Sequence, residues 1–380
     1  MRIAFVYDTV YPDSKGGVEK RVWELARRLA QRGHEVHLLV PKSWSGPERI
    51  EREGVILRGV CRSRELYTRR GRRSVFPAFA HGLGVLQVLS REHFDVVDCQ
   101  IPAHLAALGA WYAARRKPDT NCIVSWHEAW DESWVEEMGI LGHVGRRVEA
   151  AVARVPSRHM AVSADTAAGL ARLGRRVDAV ITAGVDTEMI ESVRPAGPPS
   201  DVLFIGRLVP TKNLGLLIES IGLLARGGLR PHVVVIGDGP NRERWERLAN
   251  RLGVGGQMEF IGTLDAWSDV IAVLKSTRVL ALPSLREGFG LVALEAAACA
   301  IPVVTVDHPR NAARNLVQSG VTGVCVPPVA EAFAAALEHV LQDDQWREAL
   351  GREAVESART ATWDAAVEDT EALYRTKVVA

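Results

Sequence analysis

The chain has 380 residues, 47% hydrophobic and 24% charged, a composition that excludes a disordered or fibrous protein and suits two domains. No apolar run approaches the roughly 18 residues that a membrane helix needs. The five cysteines have no C-x-x-C spacing, so they read as reduced thiols and exclude a disulfide or zinc framework. The net charge of +1 hides an asymmetry, because residues 1–180 carry 28 Lys and Arg against 21 Asp and Glu. Residues 181–380 carry 19 against 25. A basic first half suits an anionic partner or a peripheral contact with a membrane surface, and equally an attraction between the halves.

In chain order, Met1 to Asp8 read as a short apolar strand and not as a secretion signal, so a cytoplasmic chain is expected. Further strands are predicted at 36–40, 94–98, 121–126, 159–163 and 178–182. A second series follows at 201–206, 232–237, 257–262, 278–283, 301–306 and 323–326. Near-continuous Val, Ile and Leu runs suit strands covered on both faces, as in a parallel sheet. The intervening segments are helical; 18–31 puts Val22, Leu25 and Leu29 on one face and stops at Gly33. The expected fold class is α/β, with two doubly wound, Rossmann-like domains. The first spans 1–185 and the second 200–359. A Pro- and Gly-rich hinge at 184–200 joins them. The terminal helix, 360–380, either closes the second domain or crosses back to the first, the arrangement adopted in this assignment.

Several loops carry candidate chemistry. Gly16-Gly17-Val18-Glu19 lies between the first strand and the first helix, where backbone can approach a phosphate. Residues 58–73 hold seven Arg and one acid, and read as a loop facing an anionic group, a membrane or solvent. At the carboxyl end of the 121–126 strand stand Trp126, His127, Glu128, Trp130 and Trp134. They suit contact with a polyhydroxylated group, since indole faces cover C–H surfaces, and they equally suit a satisfied core histidine among packing tryptophans. Gly206, Arg207 and Lys212 follow the 201–206 strand, and the two cations are placed to neutralise a diphosphate. Gly237-Asp238-Gly239-Pro240 is a tight turn that shapes the same region. In 284–303, Gly288 and Gly290 flank a helix start whose free N–H groups suit a phosphate. Glu287 precedes that helix, and Glu295 lies about 6 Å further along its axis at ~1.5 Å per residue from the start near Leu291. Ionised carboxylates accept paired hydrogen bonds from vicinal hydroxyls. Surface cations and a solvated glutamate are the plainer alternatives.

There is no D-x-D triplet and no cluster with metal-ligand spacing, so no metal is expected. The absence of G-x-G-x-x-G after the first strand argues against a dinucleotide oxidoreductase.

The order GGVE, HEAW, GRLVPTK, GDGP and EGFGLVALE, from residue 16 to 304, resembles the retaining glycosyltransferases of family 4, with GVTGVCVPP at 320–328 extending it. That resemblance implies the GT-B architecture, two Rossmann-like domains facing each other across a deep cleft. It implies that Arg207 and Lys212 bind the donor diphosphate and that Glu287 faces the donor sugar. Phe289, Gly290 and Leu291 would offer N–H groups to the phosphates, with Gly288 beside them. Glu295 would hold the ribose, and Gly262, Thr263 and Leu264 would line the base. Gly16 and Gly17 would approach from the first domain, and His127 would touch the transferred sugar. The acceptor candidates are Trp126, Glu128, Trp130 and Trp134. Two departures stand out: Thr182-Ala183 where the family has Pro-Asn, and Asn315 near a position where many members carry Glu.

The expected activity is metal-independent transfer of a hexose, with retention, to a small polar or lipid-linked acceptor. A UDP-sugar is expected over a GDP-sugar, and no further cofactor is expected. The alternatives are a sugar-nucleotide epimerase, a phosphorylase, or a non-catalytic sugar-nucleotide-binding subunit. No nucleic acid partner is expected.

Overall fold

The structure is a computed structural model that describes residues 1–63 and 76–376. The chain divides into two compact units, Met1–Ala183 with Trp363–Ala380, and Gly184–Thr362.

The N-terminal unit contains β1 (Arg2–Val6), β2 (Glu35–Lys42), β3 (Arg49–Arg52), β4 (Val55–Arg62), β5 (Val96–Ile101), β6 (Asn121–Trp126), β7 (Arg158–Ala161) and β8 (Ala179–Val180). Among the described residues they form one sheet in the order β3-β4-β2-β1-β5-β6-β7-β8, with only β3 and β4 antiparallel. Those two strands are absent from the sequence expectation. Arg52 pairs with Val55 across a two-residue turn in which Glu53 has φ 49° and Gly54 φ 79°. This is the mirror-image turn geometry that matches strand twist. The stretch 58–73 is therefore not a loop from its start. Arg58 lies in β4, and its guanidinium donates to both oxygens of Glu92 at 2.7 and 2.6 Å. Those bonds hold the Glu92 carboxyl down at about 2. Residues 64–73 lie outside the described residues.

The C-terminal unit contains β9 (Ser200–Ile205), β10 (Val233–Ile236), β11 (Met258–Gly262), β12 (Thr277–Leu282), β13 (Val303–Val306) and β14 (Gly323–Val326). They form a parallel sheet in the order β11-β10-β9-β12-β13-β14. Successive residues feed two separate cores. Val202, Phe204, Val233, Val235, Val279 and Ala281 pack on one side, while Leu203, Val234, Leu280 and Leu282 pack on the other. Side chains alternate across a strand, so a sheet covered on both faces needs apolar residues at every position.

The segment 184–200, read as a hinge, is largely packed against the C-terminal unit. Thr187–Ser192 is a helix capped by Asp186, Ile190 is buried, and the Ala196 N–H donates to Ala272 O at 3.1 Å. The helix Trp363–Arg375 belongs to the N-terminal unit. Its Tyr374 hydroxyl donates to Asp98 Oδ2 at 2.6 Å, and Glu371 sits 2.5 Å from His34 and 3.1 Å from Arg32. Among the described residues, no helix is long and apolar enough to cross a membrane.

Candidate active site

In the C-terminal unit, β9 and β12 are parallel neighbours, so the loops at their carboxyl ends lie side by side. Lys212 leaves the short helical turn Pro210–Lys212 and Glu287 leaves the loop after β12; Lys212 Nζ donates to Glu287 Oε1 at 2.6 Å. The backbone fixes this meeting twice over. Leu285 N–H donates to Thr211 O at 2.9 Å. Glu287 is held by Asn311 and its neighbours, with Glu287 N–H to Arg310 O and Ala312 N–H to Glu287 O, both 2.9 Å. Asn311 is fully buried and donates to Thr305 Oγ1 and Val306 O. Its role, to brace the backbone of another motif, carries no signal in the residue spacing. Arg207 is exposed at the end of β9.

Gly290 opens the helix Leu291–Ala298 at φ 92°, and a Cβ there would lie 2.4 Å from Ala313 Cβ. Only glycine satisfies both constraints. The N–H groups of Phe289, Gly290 and Leu291 make no hydrogen bond among the described residues, so the helix start keeps its donors. Glu295 is buried on this helix, beyond Gly288 and the turn. The GDGP turn presses on the Arg207 loop. Gly237 N–H donates to Gly262 O at 2.7 Å, Leu208 N–H donates to Asp238 O at 2.9 Å, and a Cβ on Gly237 would meet Gly206 O at 2.0 Å. The ends of β9, β10 and β11 are thereby laced together, with Gly262 at φ 77° and Thr263 exposed while Leu264 is half-buried.

In the N-terminal unit, Gly16 and Gly17 begin the helix Gly17–Gln31. Glu19 accepts from Thr9 Oγ1 at 3.0 Å and Ser14 Oγ at 3.3 Å, tying the preceding loop to the helix. His127 is buried at the end of β6 with Nε2 2.9 Å from Gln100 Oε1. That contact assigns the proton to Nε2, which donates to the amide oxygen. Burial first, and then the Arg21 charge, push the His127 pKa well below the ordinary histidine range, so the ring is neutral near pH 7.

The acceptor candidates divide. Trp126 is fully buried, and its Nε1–H donates to His159 Nδ1 at 3.0 Å. It is a core residue and cannot face an acceptor. Trp134 is also mostly enclosed, its ring against Gly145 and edge-on to His104 at 5.5 Å. Glu128 and Trp130 are half-buried. The loop that carries them is anchored by Glu149, unnoticed in the sequence. This fully buried carboxylate accepts the N–H groups of Trp130 and Asp131 at 2.8 and 2.7 Å.

Residues 15–189 match the family model Glycosyltransferase Family 4, and residues 185–357 match Glycosyl transferases group 1. The chain belongs to the family 4 glycosyltransferases. A D-inositol 3-phosphate glycosyltransferase of Corynebacterium glutamicum (strain R) is 33% identical over 214 residues, covering 51% of this chain and 50% of that protein. This glycosyltransferase thus spans about half the length of such curated relatives. A GDP-mannose-dependent alpha-(1-6)-phosphatidylinositol dimannoside mannosyltransferase of Mycobacterium tuberculosis (strain ATCC 25177 / H37Ra) is 28% identical, covering 90% of this chain and 88% of that protein. The solved sucrose-phosphate synthase from Thermosynechococcus elongatus shares the fold, with a TM-score of 0.81 at 21% identity over 98% of both chains. The GT-B fold expected from the motifs is thereby shown.

Proposed function

We propose that this glycosyltransferase moves a hexose from a nucleoside diphosphate sugar to a hydroxyl of a phosphorylated polyol or lipid-linked acceptor, with retention and without a metal ion. The observation that carries the reading is the 2.6 Å Lys212–Glu287 pair beside a helix start with three undirected N–H donors. Charge builds on the leaving diphosphate in the transition state, and fixed cations and N–H dipoles aimed there lower the barrier most. Lys212 and Arg207 supply the positive charge. Glu287, held by Lys212 through one oxygen, can exchange that contact for sugar hydroxyls. Glu295 takes the ribose.

Glu287 and Glu295 are both committed to hydroxyls in this reading, which leaves neither as a nucleophile. Attack on the same face as the departing phosphate, which takes the acceptor proton, therefore fits better than a covalent intermediate. Neutral His127, its Nε2–H committed to Gln100, accepts a hydrogen bond at the transferred sugar through Nδ1 without adding charge. The name of the Mycobacterium tuberculosis relative favours a guanosine donor over the uridine donor expected from the motifs. Exposed Asp265, just past Gly262, is a carboxylate suited to guanine N–H groups. The inositol-based acceptors in both relatives' names favour a polyol acceptor bearing phosphate.

Release of nucleoside diphosphate from UDP- and GDP-sugars, with and without inositol phosphates, tests the reading. Acceptor-dependent release is expected, with the sugar in the product keeping its anomeric configuration. Equal release without acceptor, or trapping of a glycosyl–enzyme adduct, contradicts it.

A further inference from the structure

Four polar side chains share one buried face of the N-terminal sheet. Asp98 and Gln100 stand two residues apart on β5, Ser125 and His127 stand two residues apart at the end of β6, and Gln100 pairs with Ser125 across the strands. Side chains alternate across a strand, so the intervening Cys99, Val124 and Trp126 enter the apolar core on the other face. Two helices complete the polar side. The helix Gly17–Gln31 brings Arg21 beside Asp98 and His127, and the helix Trp363–Arg375 brings Tyr374 to Asp98.

This buried cluster has a direction. Ser125 Oγ donates to one Asp98 oxygen at 2.5 Å and the Tyr374 hydroxyl donates to the other at 2.6 Å. Burial pushes the Asp98 pKa up, while those two donors, the Arg21 charge and Gln100 oppose it. Arg21 is itself buried; burial brings it down to about 10, so it stays charged near pH 7. Its Nη2 donates to Ile181 O at 3.0 Å, and among the described residues its Nε and Nη1 have no hydrogen-bond partner. Asp98 is the acid whose field acts on it. A neutral Asp98 would leave a buried cation without its counter-charge, so the pair keeps Asp98 ionised.

An ionised carboxylate can only accept. The Gln100 amide therefore turns its NH2 toward Asp98 and its carbonyl toward His127. Gln100 Nε2 lies in the Asp98 field, beyond an ordinary hydrogen bond, and Gln100 Oε1 is 2.9 Å from His127 Nε2. The reversed amide would set its oxygen against the carboxylate and offer His127 a donor in place of an acceptor. His127 Nδ1 has no protein partner among the described residues.

We propose that Asp98 and Gln100 are positioning residues that hold His127 as its Nε2–H tautomer, leaving Nδ1 a bare acceptor for a hydroxyl of the transferred sugar. The sugar contact rests on the proposed function, whereas the tautomer does not require turnover.

Imidazole nitrogen NMR of the full chain carrying isotope-labelled histidine reads which ring nitrogen holds the proton at pH 7, and His127→Gln identifies the His127 signals. The wild type is expected to show Nε2–H with a bare Nδ1. Gln100→Leu removes the acceptor and is expected to move the proton largely to Nδ1. Asp98→Asn removes the carboxylate that orients the amide and is expected to give both forms. Gln100→Glu is the rescue: beside Asp98 it is protonated, donates to that carboxylate and still accepts from Nε2–H. Melting temperatures check that each variant folds. In donor kinetics, Gln100→Leu is expected to lower kcat about tenfold or more with little change in KM, and Gln100→Glu to recover most of it. Nδ1–H in the wild type, or Nε2–H alone in Gln100→Leu or Asp98→Asn, overturns the proposal. A tautomer shift in Gln100→Leu with kcat unchanged overturns the role at the sugar. If the spectra behave as expected while the wild type transfers no sugar, the relay stands and the transferase reading fails.

Discussion

Lys212 and Glu287 stand 75 positions apart, and each is unremarkable in its own segment; parallel pairing of β9 with β12 makes them one unit. Their side chains remain 25% and 11% exposed, so as an ion pair they add little to stability, about 0–1 kcal/mol. In the proposed function their value lies in the reaction. Lys212→Ala and Glu287→Ala are each expected to lower kcat/KM about 100-fold or more while leaving the melting temperature within a few degrees, measured by steady-state kinetics and calorimetry. A Glu287→Ala enzyme of full activity would remove that residue from the site. Their placement was legible in the sequence because each follows an apolar strand run. Trp126 was not, because nothing in its neighbours told a core indole from an exposed one. Its Nε1–H can only donate, so His159 Nδ1 must accept and the ring must be neutral. Burial and the Arg175 charge accordingly bring His159 down to about 4. The folded pKa is below the unfolded value, so the unfolded chain binds more protons in between. Stability from this group is full above about pH 6.5 and drains as pH falls toward 4, by about 3 kcal/mol. Urea midpoints followed from pH 7 to 4.5 are expected to fall less steeply in His159→Asn, and an identical slope would contradict this account.

At the level of elements, turns and braces matter more than strands. The strand series was readable because Val, Ile and Leu runs are buried on both faces; the β3–β4 hairpin escaped because Arg49 to Arg52 alternates charged residues at a sheet edge and carries little apolar signal. The motif glycines were visible as motifs, yet the reason for each needed coordinates. Gly237→Ala would drive a Cβ against Gly206 O and Gly290→Ala would drive one against Ala313, both at positive φ. Each is expected to destabilise the C-terminal unit by about 1–3 kcal/mol and to weaken nucleotide binding, read by thermal melts and titration. Asn311 and Glu149 act on backbone in other segments, a relation that one-dimensional spacing does not carry. Glu149→Gln keeps the shape but replaces one acceptor oxygen by a donor facing an N–H group. A rise in KM for acceptor with KM for donor unchanged is expected, and equal changes in both would assign Glu149 a purely structural role.

For the whole molecule, the terminal helix Trp363–Arg375 is part of the N-terminal unit although it follows the C-terminal unit in sequence. The amphipathic pattern of that helix was visible, whereas the unit it joins depended on partners far away, Asp98, His34 and Arg32. Asp98 is buried, and burial raises its pKa while Ser125 and Tyr374 donate to it. Tyr374→Phe is expected to cost about 1–3 kcal/mol in the N-terminal unit's melting transition, and no loss would show that the hydroxyl is dispensable. The glycosyltransferase reading depends on the C-terminal unit gripping a diphosphate. The most direct test is calorimetric titration of the full chain with UDP and GDP, repeated on Lys212→Ala. The account predicts that at least one nucleotide binds and that its affinity falls about tenfold or more in the variant, with the fold unchanged. Binding of equal strength in the variant, or no binding of either nucleotide to the wild type, would contradict it.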